Sequence, residues 1–111
     1  MGIENWSEDI VLVDLPPEPQ IGDELNTVTE VVQDRSDCDV ILDFSRVDIV
    51  TTSSLSKLQK LRKSLADCGH QLVFCSAAPA TKGILTATGL DGIFELVDDK
   101  SVALATLQMV T

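Results

Sequence analysis

Residues 39–75 read DVILDFSRVDIVTTSSLSKLQKLRKSLADCGHQLVFC, and three patterns succeed one another within them. Asp39 to Phe44 holds the unbroken apolar run Val40, Ile41, Leu42, the pattern of a strand covered on both faces in the middle of a sheet. After the loop SRVDIV, the hydroxyls of TTSS offer helix caps. Leu55, Leu58, Leu61 and Leu65 then recur at helical spacing and gather on about one third of the circumference. Lys57, Lys60 and Lys63 fall on the opposite side. Cys68-Gly69 is a helix stop signal, and Gln71 to Cys75 is a second short apolar strand. A strand, a helix and a strand in that order predict a parallel pair joined by a right-handed crossover.

The same alternation continues outward. Upstream, Ile10 to Val13 beside Trp6 predict a first strand near 9–15, stopped by Pro16, Pro17 and Pro19. Proline lacks the amide proton of a ladder, so PPEP is an edge or loop segment. Ile21, Leu25, Val28, Val31 and Val32 then form one face of a helix over Ile21 to Gln33. Downstream, Pro79 opens a third helix that runs through Lys82, Ile84 and Leu85 and ends near Gly89. Ile93 to Val97 is a last strand, and Asp98 or Asp99 caps a closing helix carrying Val102, Leu104, Ala105 and Leu107. The order β, α, β, α, β, α, β, α predicts an α/β fold with helices on a small, mostly parallel sheet of about four strands.

The length of 111 residues predicts one domain over 1–111, and mean hydropathy of +0.18 with 44% hydrophobic residues argues against disorder. No apolar run approaches the roughly 18 to 20 residues that cross a bilayer, and the first ten residues lack a basic stretch followed by an apolar one. Neither direct membrane insertion nor export is therefore expected. Eighteen acids against eight bases give a net charge of −10, which repels phosphate backbones and excludes nucleic acid as a direct partner. The charge is uneven: residues 1–50 carry thirteen acids and two bases, whereas Lys57, Lys60, Arg62 and Lys63 crowd into seven residues. Those four bases read as a solvated helix face or as a surface for an acidic partner. Cys38, Cys68 and Cys75 are odd in number and lack CxxC spacing, which fits a reducing cytoplasm, no zinc and buried or half-buried thiols.

Few residues invite catalysis. His70 is the only histidine and reads as a turn residue, with no triad or zinc set assembled around it. The six glycines form no phosphate-cradling loop, so no nucleotide cofactor is expected. Asp43 and Asp48 flank a strand-end loop where a divalent ion could sit, but exposed acids in such places solvate the chain, and no metal is expected. Thr51, Thr52, Ser53 and Ser54 stand out, because a helix N-terminus needs only one hydroxyl as cap. The unpaired amides and dipole there also favour a phosphate. Phosphorylation would add about −1.5 to −2 charges at one exposed point.

The stretch from VILDF through TTSSLS, QLVFCSAAPATKGIL and TGLDGIFELV resembles the STAS domain of bacterial anti-sigma factor antagonists over about residues 39–107. The N-terminal DIVLVDL is similar to that family's opening strand, with PPEP in place of its usual turn. The resemblance implies a sheet with about four helices packed largely on one side, and a partner-switching, non-enzymatic role. In that scheme the unmodified antagonist binds an anti-sigma factor that is also a serine/threonine kinase. The kinase phosphorylates a loop hydroxyl, and a PP2C-type phosphatase resets it.

Carried over by position, the phosphoacceptor falls on Thr52, ahead of Ser53 and Thr51, and the partner surface on Thr51, Thr52, Ser53, Ser54, Ser56, Lys57 and Lys60. Thr51 stands in the place of the family's aspartate, Ser54 and Ser56 stand where it has glycines, and Leu55 keeps its leucine. The resemblance also admits a cytosolic STAS subunit of a membrane transporter complex, such as a lipid-transport ATPase. A small ligand-binding protein or minor enzyme is the reading from another class.

Overall fold

The structure is a computed structural model that describes residues 3–5, 10–18, 20–35, 38–47, 50–89 and 95–109. Five strands form one sheet in the order β1-β2-β3-β4-β5: β1 (Ile3–Asn5), β2 (Ile10–Asp14), β3 (Asp39–Asp43), β4 (Leu72–Cys75) and β5 (Glu95–Val97). The last four are parallel, and β1 pairs antiparallel with β2. That antiparallel edge is absent from the eight-element expectation, because Ile-Glu-Asn is too short and too polar to show a strand period. Trp6, Pro19, Ile93 and Phe94 lie outside the described residues.

Strand alternation divides the core into two layers. Val11, Val13, Val40, Leu42, Leu72 and Phe74 point to one face. They meet the apolar sides of α1 (Ile21–Arg35) and α2 (Thr52–Asp67), and Leu85 of α3 (Pro79–Ala87). Ile10, Leu12, Ile41, Val73 and Cys75 point to the other face, where Ala103 and Leu107 of α4 (Lys100–Met109) cover them. Three helices on one face and one on the other match the expectation of a sheet packed largely on one side. The run Val40, Ile41, Leu42 is buried on both faces because β3 is the central strand.

The helix boundaries follow local chemistry. In α1, Ile21, Leu25, Val28 and Val32 are buried and Val31 is half-buried, and the helix continues past Gln33 to Arg35. At the end of α2 the amide of His70 donates to the Leu65 carbonyl at 2.8 Å and that of Gly69 to Ala66 at 3.0 Å. This paired closure needs a left-handed residue, supplied by Gly69 with φ of 78°. Asp99 caps α4 by accepting the Val102 amide at 2.9 Å.

Two expectations are corrected. Cys68 is exposed, because it caps α2 on the solvent side, whereas Cys38 and Cys75 are buried. Asp43 is no solvating acid: it is 5% exposed, and its carboxylate accepts the Ser45 amide at 2.8 Å and pairs with Lys100 at 3.2 Å. The register Asp14↔Asp43 places two carboxylates side by side at the carboxyl ends of the strands, and Lys100 Nζ bridges them, reaching Asp14 at 3.1 Å. Burial alone would raise the Asp43 pKa, but the Ser45 hydrogen bonds and Lys100 outweigh it and hold it below the ordinary value. Asp48 lies outside the described residues.

Candidate functional site

The four-hydroxyl stretch sits where the sequence places it, at the start of α2. The loop before it is pinned from below. Phe44 packs against Phe74 with centroids 4.8 Å apart and the rings tilted by 42°, its amide donates to the Cys75 carbonyl at 2.9 Å, and Val47 and Val50 are buried. Apolar anchors on both sides of the loop thus fix the point at which α2 emerges.

Thr51 is the N-cap, with extended backbone at φ −80° and ψ 163°. Its hydroxyl oxygen accepts the Ser54 amide at 3.2 Å and its proton faces the Ser54 hydroxyl at 3.2 Å. One threonine therefore does the capping work. Ser54 is 2% exposed, so of the residues carried over as partner-binding it is the one that the fold turns inward. Thr52 and Ser53 are exposed on the first turn, and neither hydroxyl has a partner among the described residues. Ser56 and Lys60 are also exposed, and Lys57 is half-buried beside Gly22 of α1. At spacings of four, four and three residues, Thr52, Ser56, Lys60 and Lys63 lie along one stripe of α2.

Glu18, in the loop between β2 and α1, completes this terminus. Its Oε2 accepts the Thr51 amide at 2.7 Å and the Ser54 hydroxyl at 2.9 Å. A carboxylate from the distant PPEP segment thus stands at the helix N-terminus, beside the position where the resemblance expects an aspartate. Nothing local in the sequence announces it, since the partners are 33 and 36 residues apart.

The site offers hydroxyls, a helix dipole and amines. Elsewhere, burial and the Asp43 charge push the Cys75 thiol up to about 11, which suppresses its thiolate. His70 follows the α2 stop, with Nδ1 3.3 Å from Asp39. Among the described residues no group of three or more His, Cys, Asp or Glu side chains is placed to hold a metal ion, and no helix is long and apolar enough to cross a membrane.

Comparison with known proteins agrees with this architecture. No curated protein matches the chain. Among solved structures, an anti-sigma factor antagonist from Mycobacterium paratuberculosis is 22% identical with a TM-score of 0.75, covering 96% of this chain and 91% of that one. The Bacillus cell fate determinant SpoIIAA in its phosphorylated form is 10% identical with a TM-score of 0.70, covering 94% and 96%. A sulfate transporter family protein from Wolinella succinogenes is 20% identical with a TM-score of 0.73, covering 91% and 84%. These likenesses carry the fold. The model of the STAS domain matches residues 22–103, which run from the start of α1 through β3, β4 and β5 to the start of α4, and the chain therefore belongs to the STAS domain family.

Proposed function

We propose that this chain is an anti-sigma factor antagonist that docks on a serine/threonine kinase of the anti-sigma type through the N-terminal half of α2, and that phosphorylation of Thr52 releases it. The observation that carries this reading is the exposure of the Thr52 hydroxyl on the first turn of α2 while Thr51 and Ser54 are occupied with capping. A phosphate on Thr52 would place charge at the unpaired amides of the first turn and beside a partner surface of Ser56, Lys57 and Lys60. Binding and release then need no change of fold. The fold shared with SpoIIAA, solved in a phosphorylated form, supports the same reading. The role is that of a cytoplasmic binding module acting on transcription, without catalysis or cofactor, in a single domain over 1–111. A PP2C-type phosphatase would complete the cycle.

The test is affinity capture from the source cytosol with dephosphorylated protein. Wild type and Thr52→Ala should retain the kinase, and Thr52→Asp should lose it. Equal recovery with all three would refute the switch. A second reading, a cytosolic subunit of a membrane transporter, is favoured by the likeness to the Wolinella protein. Recovery of a transport ATPase by wild type and Thr52→Asp alike would establish it.

A further inference from the structure

The carboxylate of Glu18 and the hydroxyl of Thr52 belong to the same helix terminus, and only the first is engaged there. Glu18 Oε2 accepts the Thr51 amide at 2.7 Å and the Ser54 hydroxyl at 2.9 Å, while Thr52 beside them is exposed. The positive end of a helix dipole amounts to roughly half a charge, which one carboxylate already offsets. A phosphate on Thr52 would bring about −1.5 to −2 more. The position one turn on, where a lysine would neutralise it, is Ser56. Lys57 is turned toward Gly22 of α1, and Lys60 lies two turns on, about 12 Å along the axis.

Two anions at one terminus repel, and around Glu18 it is the side chain that can yield. The Leu15 amide donates to the Asp43 carbonyl at 3.1 Å and the Gln20 amide to the Pro17 carbonyl at 3.1 Å, so both ends of the loop are tied, and Pro17 has a fixed φ. We infer that Glu18 is a phosphate-sensitive latch: its carboxylate holds the loop before α1 onto α2 while Thr52 is unmodified, and a phosphate on Thr52 drives it off into solvent. Ser54 then keeps only Thr51 Oγ1 as the partner of its hydroxyl, and the start of α2 loses its tie to the PPEP segment. This inference rests on the reading of Thr52 as the phosphoacceptor, and it adds to the switch a residue from outside the TTSS stretch.

The test is a cycle on the full chain, unmodified or with phosphothreonine installed at position 52 without a kinase, each with Glu18 intact or as Glu18→Gln. Glutamine keeps the shape and an acceptor oxygen, so the cycle reports the charge. Glu18→Gln should lower the urea midpoint of the unmodified chain and raise that of the phosphorylated chain, by about 0.3 to 0.7 M each. Sodium chloride raised from about 0.05 to about 1 M should shrink the difference by about half, which a purely steric coupling would not show. In isotope-labelled protein, the scalar coupling across the hydrogen bond from the Thr51 nitrogen to the Glu18 carboxyl carbon should vanish on phosphorylation. A midpoint lowered equally in both chains, a difference indifferent to salt, or a scalar coupling that persists would overturn the latch. Should the phosphorylated chain be unfolded, Thr52→Asp in the same cycle must give the same sign at smaller size, and additivity would overturn it. Because no kinase is used, a failed cycle leaves the antagonist reading standing, and failed capture of a kinase leaves the latch standing.

Discussion

Glu18→Ala removes one carboxylate and both hydrogen bonds that tie the PPEP loop to α2. The two losses are unequal. The Thr51 amide belongs to an exposed residue and regains water, so its share is about 0.5 kcal/mol. The Ser54 hydroxyl is 2% exposed and exchanges a charged acceptor at 2.9 Å for the neutral Thr51 Oγ1 at 3.2 Å, a loss of about 1 to 2 kcal/mol. The sum of about 1.5 to 2.5 kcal/mol corresponds to a fall in Tm of about 5 to 10 °C for a domain of this size. Urea unfolding followed by circular dichroism reads it as a lower midpoint at unchanged slope. Adding Ser54→Ala to Glu18→Ala removes the buried hydroxyl that has lost its charged acceptor and should restore up to about 1 kcal/mol, a coupling that a double-mutant cycle measures. A loss below about 0.5 kcal/mol, or no recovery in the double variant, would refute the account of Glu18 as the clamp of this helix terminus.

Asp43 is held below its ordinary value of 3.8, so its contribution to stability is present above that pH and is lost as pH falls through the folded value. Asp43→Asn should therefore lower stability at pH 7 and flatten the acid limb of the stability curve, measured by urea midpoints from pH 2 to 7 at roughly one-unit steps. Cys75 is raised from 9.0 to about 11, so the unfolded chain ionises first and stability falls as pH rises between those values. At pH about 8, an aromatic disulfide reagent should modify Cys68 quickly in the native protein and Cys38 and Cys75 only on unfolding. Fast modification of a second thiol would contradict the burial. Ser76 holds a φ of 58° just after β4, so Ser76→Gly should raise stability by about 0.5 kcal/mol, and a lower urea midpoint would show that its side chain matters more than its backbone.

The parallel sheet was readable because its signals are local. Val40 to Leu42 could only be a covered strand, the four leucines of α2 could only be one helix face, and Gly69 and Pro79 mark where helices must stop or start. That one hydroxyl of the TTSS stretch caps α2 is legible in the sequence, whereas the structure is needed to show that it is Thr51 and that Thr52 is exposed. What escaped reading depends on contacts between distant segments. Glu18 meets Thr51 and Ser54 only because β2 and β3 run parallel and end side by side. Asp43 looks like a loop acid until Lys100, at the far end of the chain, arrives to neutralise it. Ile3–Asn5 carries no strand period, and its pairing with β2 is decided by the partner's edge.

Adjacent packing of α1 and α2 sets Asp23, Glu24, Glu30 and Asp34 on one helix next to Lys57, Lys60, Arg62 and Lys63 on the other. The molecule is consequently an electric dipole as well as a net anion. In the field of an acidic partner it turns its α2 side forward before contact, so encounters are oriented and association slows as salt is raised. A phosphate on the first turn of α2 would cancel much of the positive end of that dipole, acting on the approach of a partner before it acts on the docked complex.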